Sequence, residues 1–241
     1  MIAEPGAGQM KTCDLIWRRV IQAIATMALL VAGGCAHRPM PLYEAERAVA
    51  EYIDSGLYLR DVEAVVQQAE EFLAKRAAVP SSNLAVVLDI DETALSNWPA
   101  YRLNNYSRIL HGPCDLHEGP CGIFAYQTMG VSPAIEPTRE LARTANRLGL
   151  KVYFLSGRDE RMRASTVRNL RDAGFAFDGV ILYPDVEEKL PSAARFKAAE
   201  RARLEASGLR IVLCMGDQWS DLSGGHCERT FKLPNPVYFL P

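Results

Sequence analysis

Four short runs of the chain are apolar at successive positions and rich in β-branched residues: LAVVLDI (84–90), KVYFLS (151–156), GVILY (179–183) and RIVLCM (210–215). A strand that is apolar on both faces is buried on both, which is the pattern of a parallel sheet covered by helices on either side. Between the runs, residues 136–148, 159–173 and 193–207 are amphipathic with helical period. Each is followed by a glycine (Gly149, Gly174, Gly208), the residue that most readily takes the left-handed turn ending a helix. The alternation predicts an α/β fold, a Rossmann-like parallel sheet with helices on both faces. Upstream, residues 42–79 are rich in Ala, Glu, Leu and Gln and predict a helical lead-in with a break at Gly56. Residues 97–133 depart from this rhythm. They are aromatic, proline-containing and weakly periodic, and predict an insertion.

A fifth apolar run, VIQAIATMALLVA (20–32), falls short of the roughly 20 residues that span a bilayer. Lys11, Arg18 and Arg19 precede it, and Gly33, Gly34 and Cys35 follow. That is the layout of an export signal. The tail AGGC resembles a bacterial lipoprotein signal, with Ala32 at a position where Leu is usual. The resemblance implies removal of residues 1–34, acylation of Cys35, and a body of residues 35–241 tethered by lipid in the periplasm or at the outer membrane of a bacterium.

The bulk numbers narrow the partners. The chain has 241 residues, 49% hydrophobic and 23% charged, with mean hydropathy −0.06, as expected of one folded domain carrying an insertion. Net charge −2 and pI near 6.1 leave no broad basic surface, so nucleic acid is not expected as a partner. Export permits disulfides. Cys114 and Cys121 share the short loop GPCDLHEGPCG and can pair; with His117 they also offer zinc ligands, at a spacing unusual for that metal. Cys214 sits in an apolar run and reads as a buried core residue. The four body cysteines allow three pairings.

The candidate chemistry is acidic. In VVLDIDETALSN, Asp89 and Asp91 bracket one apolar residue at the exit of a hydrophobic strand, with Thr93 two positions on. A lone carboxylate there would be a helix cap, but two neighbouring ones repel unless a cation lies between them. In MGDQWSDL, Asp217 and Asp221 follow the run RIVLCM, again at a strand exit. In open α/β sheets the carboxyl ends of the strands border the ligand crevice. Three or four carboxylates there, with few thiols or imidazoles, form an oxygen site suited to Mg2+. Ser156 and Gly157 close the second run in FLSGR, where a hydroxyl and free backbone N–H groups can hold a phosphoryl oxygen. Arg158 reads as a substrate ligand or a surface ion pair, and more as a support behind the site than as a contact of the substrate.

Together, Asp89-Ile90-Asp91-Glu92-Thr93, Ser156-Gly157-Arg158, a downstream lysine and Gly216-Asp217-Gln218-Trp219-Ser220-Asp221 resemble the haloacid dehalogenase superfamily. Within it they are similar to the acid phosphatase branch, which includes bacterial lipoprotein acid phosphatases and plant vegetative storage proteins; FKLPNPVYFL (231–240) is similar to the latter. The resemblance implies a Mg2+-dependent phosphomonoesterase acting on small phosphate esters. Asp89 would be the nucleophile and Asp91 the general acid and base. Asp89, the Asp91 carbonyl and Asp217 would hold the metal, supported by Asp221, and Ser156, Gly157 and a lysine would bind the phosphoryl group. An aromatic, then Lys, then Arg four positions later selects Lys197, beside Phe196 and Arg201, over Lys189. Residues 97–133 would form a small cap, whose Trp98, Tyr101, Tyr106, Phe124 and Tyr126 either fill its own core or stack on a leaving group such as a nucleoside. A non-catalytic storage protein and a phosphotransferase are the alternative readings on the same fold.

Overall fold

β1 (Leu84–Leu88), β2 (Lys151–Asp159), β3 (Gly179–Tyr183) and β4 (Arg210–Gly216) form at the four apolar runs. All pair in parallel, in the order β3-β2-β1-β4-β5. The edge strand β5 (Arg229–Lys232) has no counterpart in the sequence reading. Phe231 is its one buried residue, so it shows neither an apolar run nor an alternation. The computed structural model describes residues 39–185 and 192–240. The export segment, Cys35 and Lys189 lie outside them. No helix among the described residues is long and apolar enough to cross a membrane.

The helices are α1 (Leu42–Asp54), α2 (Leu57–Ala77), α3 (Trp98–Leu103), α4 (Ile123–Met129), α5 (Glu136–Arg147), α6 (Arg163–Asp172), α7 (Ala193–Ala206) and α8 (Trp219–Leu222). The lead-in breaks at Gly56, which takes the left-handed conformation, and Gly149, Gly174 and Gly208 follow α5, α6 and α7 with positive φ. Successive strand residues feed two cores. Val86, Leu88, Val152 and Phe154 join one with Val62, Val66, Ala69 and Leu73 of α2 and Leu141 and Ala145 of α5. Val87, Leu155 and Cys214 join the other with Phe196 of α7 and Leu222. Burying one such side chain stabilises the fold by about 1.5–3 kcal/mol, so both cores hold the sheet between its helices.

Cys214 is more than a core residue. It is bonded to Cys227 and ties β4 to the turn entering β5, while Cys114 is bonded to Cys121. These bonds replace the zinc alternative, since disulfide sulfur has no lone thiolate to give a metal. In residues 97–133, Trp98, Tyr101 and Tyr126 are buried in the larger core, and Tyr106 packs at its edge. Asn104 fastens this segment by exchanging two hydrogen bonds with the Cys121 backbone, at 2.7 and 2.8 Å.

The chain winds outward from β1 to β2 and β3, then crosses to β4 and β5 on the other side. Between β1 and β4 the winding reverses, and connections leaving in opposite directions open a crevice at the carboxyl ends of those two strands.

Candidate active site

The crevice gathers the acidic motifs. Asp89 follows β1, its N–H donating to the Met215 carbonyl of β4 at 2.9 Å, and Asp217 follows β4. Asp221 reaches back from α8 to the Gln218 N–H at 2.8 Å. It can do so because residue 216 is glycine: a Cβ there would overlap the Asp221 side chain. One carboxylate oxygen from each of Asp89, Asp217 and Asp221 lies within 4.8 Å of the others. Lys197, from α7, donates to Asp89 Oδ1 and to Asp221 Oδ1, each at 2.5 Å. Ser156 and Gly157 line the same cavity as Asp89, Asp91, Lys197, Asp217 and Asp221. Every predicted site residue is therefore brought to one place.

Charge decides what such a cluster can hold. Three buried carboxylates face one ammonium, since Lys232 donates to the Asp217 carbonyl and not to its carboxylate. Burial, then repulsion from Asp221, raises the Asp89 carboxyl well above its ordinary value, partly offset by Lys197. Burial and Asp221 also push Asp217 up, to about 7, against hydrogen bonds from Asn235 and Gln218. Burial alone would lower Lys197, yet Asp221 and Asp89 hold it above its ordinary value. The raised Asp89 and Asp217 carboxyls reflect like charges crowded together in a buried site. Two negative charges remain after Lys197 is counted, and hard oxygen donors carrying that charge fit a divalent cation such as Mg2+.

Asp91 is set apart from this cluster. Arg158 donates to it from Nε at 3.0 Å and Nη2 at 2.8 Å, and the amides of Asn97 and Gln127 donate at 2.8 and 2.9 Å. Burial opposes its ionisation, but these donors, Arg158 first, hold its pKa below the ordinary value. The fold thus stabilises the ionised Asp91, the form that accepts a proton. Arg158 is not a substrate ligand, and its ion pair is buried, not at the surface; it supports the site through Asp91, the role the sequence reading leaned to. Its side chain is 1% exposed and its guanidinium is committed to Asp91.

Glu92 was not singled out from sequence, because a glutamate beside two aspartates reads as one more acid. It is fully buried, and it accepts from the Asn97 N–H at 2.7 Å, Asn97 Nδ2 at 3.2 Å and the Tyr238 hydroxyl at 2.8 Å. Burial, then the charge of Asp91, pushes it up to about 8. A carboxyl whose folded pKa exceeds its unfolded value contributes stability that is complete below the unfolded value and is lost as pH rises through the folded one. In metal-free protein Tm should therefore fall between about pH 4.5 and pH 8, more steeply in the wild type than in Glu92→Gln. Thermal melts across that range check this, and parallel slopes would contradict it.

The model of the HAD superfamily, subfamily IIIB (Acid phosphatase), matches residues 37–241. The chain belongs to that family. The acid phosphatase family assignment makes it a phosphomonoesterase. The chain is 36% identical over 200 residues to a stem 28 kDa glycoprotein of Glycine max, covering 82% of this chain and 75% of the relative. It is 33% identical to acid phosphatase 1 of Solanum lycopersicum, with 80% and 73% covered. The class C acid phosphatase from Bacillus anthracis shares its fold, with a TM-score of 0.63 at 18% identity and 82% and 85% coverage.

In this subfamily IIIB acid phosphatase the end of the chain also builds the site, beyond what the motifs disclosed. Asn235 donates to Asp217 Oδ2 at 2.7 Å, and Leu240 N–H donates to Gln218 Oε1 at 2.8 Å. Asn235 Oδ1 also accepts from the Val237 N–H at 2.9 Å, which folds the segment back on itself. The available signal was Asn235 between two prolines, a polar side chain on backbone of fixed φ. Arg201, the arginine that helped select Lys197, is fully buried beneath the phosphatase site. It donates to the Asp221 carbonyl at 2.7 Å and the Gly225 carbonyl at 3.0 Å.

Proposed function

We propose that the chain hydrolyses phosphomonoesters through an aspartyl-phosphate on Asp89. The observation that supports this most is the division of labour at the end of β1, where Asp89 lies in the lysine-bridged cluster and Asp91, two residues on, is held apart from it by Arg158, free to give and take a proton. An Asp89 oxygen attacks phosphorus and the bond to the ester oxygen breaks; the leaving alkoxide takes the proton of Asp91 in its protonated form, which leaves Asp91 as the carboxylate that Arg158 stabilises. Water then attacks the same phosphorus, giving its proton to Asp91, and phosphate leaves as the bond to Asp89 breaks. Ser156 Oγ and the Gly157 N–H hold phosphoryl oxygens, and Lys197 offsets the charge that gathers on them. Asp89, Asp217, Asp221 and the Asp91 carbonyl would hold Mg2+, which when bound supplies charge neutralisation between a carboxylate and a phosphate dianion. Asp89 is present, which favours hydrolysis over the non-catalytic storage reading; product analysis with a competing alcohol separates hydrolysis from phosphotransfer.

Assay of the purified protein on phosphomonoesters tests this. Chelation should lower turnover at least about a hundredfold and Mg2+ should restore it. Activity indifferent to chelation would remove the metal from the reading, and absence of activity on any monoester would remove the reaction.

Residues 97–133 are proposed as the cap of the domain formed by residues 35–241. Two of its rings, Tyr101 and Phe124, line the cavity and are placed to meet the alcohol part of a small ester, a nucleotide among them. Residues 1–34 are proposed as the export leader and Cys35 as the acylated residue of a bacterial lipoprotein, on the layout of basic, apolar and small residues before Cys35. Mass spectrometry of protein from its native host should find a chain beginning at Cys35 with added acyl mass; an unmodified Cys35 would overturn the anchor.

A further inference from the structure

Three cations line the cavity among the described residues: Arg108, Arg158 and Lys197. Two of them are engaged by the protein's own carboxylates. Lys197 bridges Asp89 and Asp221, and Arg158 is bound to Asp91. Arg108 has no carboxylate partner among the described residues. Its guanidinium lies 4.9 Å from the centroid of the Tyr238 ring. It is exposed while the carboxylates are buried, so it stands toward the mouth of the cavity.

A guanidinium stacked on a ring has one face covered and its N–H edge open. Stacking also restrains a long side chain before anything binds, which lowers the ordering cost of a contact. That edge matches the two oxygens of a carboxylate or phosphate. The reacting phosphoryl group is already served by Ser156, Gly157 and Lys197, deeper in the cavity. An anion at Arg108 must therefore belong to the part of the substrate that leaves.

We propose that Arg108 selects phosphomonoesters whose alcohol carries a second anionic group, a carboxylate or another phosphate. The inference rests on the phosphatase reading of the same cavity and names a substrate class for it. The test compares kcat/KM of wild type, Arg108→Gln and Arg108→Lys on phenyl phosphate, its 4-carboxylate and its 4-phosphate. Taking each charged ester relative to phenyl phosphate, and then variant relative to wild type, cancels differences in leaving-group basicity. Preference for at least one charged ester should fall about three- to tenfold in Arg108→Gln, as expected of a partly exposed ion pair, and Arg108→Lys should recover part of it. A fall confined to the carboxylate or to the phosphate identifies the anion. Ratios within twofold of wild type on both charged esters overturn the inference while leaving the phosphatase reading standing. Wild type that turns over none of the three overturns the phosphatase reading, and the inference with it.

Discussion

Asp89→Asn is expected to lower kcat by at least about four orders of magnitude, because an amide of the same size cannot form the acyl phosphate. The variant should remain folded. Asp89 is buried, and its carboxyl is raised above its ordinary value by burial and by repulsion from Asp221; Asn keeps its shape and Lys197 keeps Asp221 as a partner, so the fold should tolerate the change. Tm of the metal-free variant should stay within a few degrees of the wild type. Acid quenching with radiolabelled substrate gives a second readout: label stays on the wild-type chain and is absent from Asp89→Asn. Turnover within tenfold of wild type would move the nucleophile elsewhere. Inactivity with a collapsed Tm would show that the substitution had disturbed the fold.

Lys197→Met should lower kcat about a thousandfold, since the side chain keeps most of its unbranched stem but loses the ammonium that faces the phosphoryl group. Its cost to the resting protein is separable. Without Lys197 the carboxylates of Asp89 and Asp221 lose the cation they share at 2.5 Å, and removing one partner from a buried pair typically costs about 3–5 kcal/mol. Mg2+ should recover most of the lost Tm and little of the lost kcat, because it answers the charge of the cluster without replacing a donor at phosphorus. Near-normal turnover would clear Lys197 of the reaction and direct attention to Lys189.

Much of this arrangement could be read from the chain because its strands are apolar on both faces and its carboxylates sit at their ends. Asp89, Asp217 and Asp221 were readable as one site for that reason, and the aromatic-Lys-Arg spacing pointed to Lys197. The features that escaped are those whose meaning depends on distant partners. β5 has one buried side chain and exists by pairing with β4. Arg158 looks like any exposed arginine until α6 and residues 97–133 enclose it against Asp91, and Glu92 looks solvated until Tyr238 covers it. Cys214 has the burial of an ordinary core residue, and its bond to Cys227 depends on where the turn before β5 lands.

The hydrogen bond from Tyr238 to Glu92 joins residues 146 positions apart, Thr93 meets Asp217 across 124, and Lys197 meets Asp89 across 108. Contacts of such span form late in folding, because long loops must close before they are rewarded. A nascent or unfolded chain therefore holds all the chemically competent side chains and none of the chemistry. The site is therefore complete only once the last strand and its trailing segment have closed on the ends of β1 and β4.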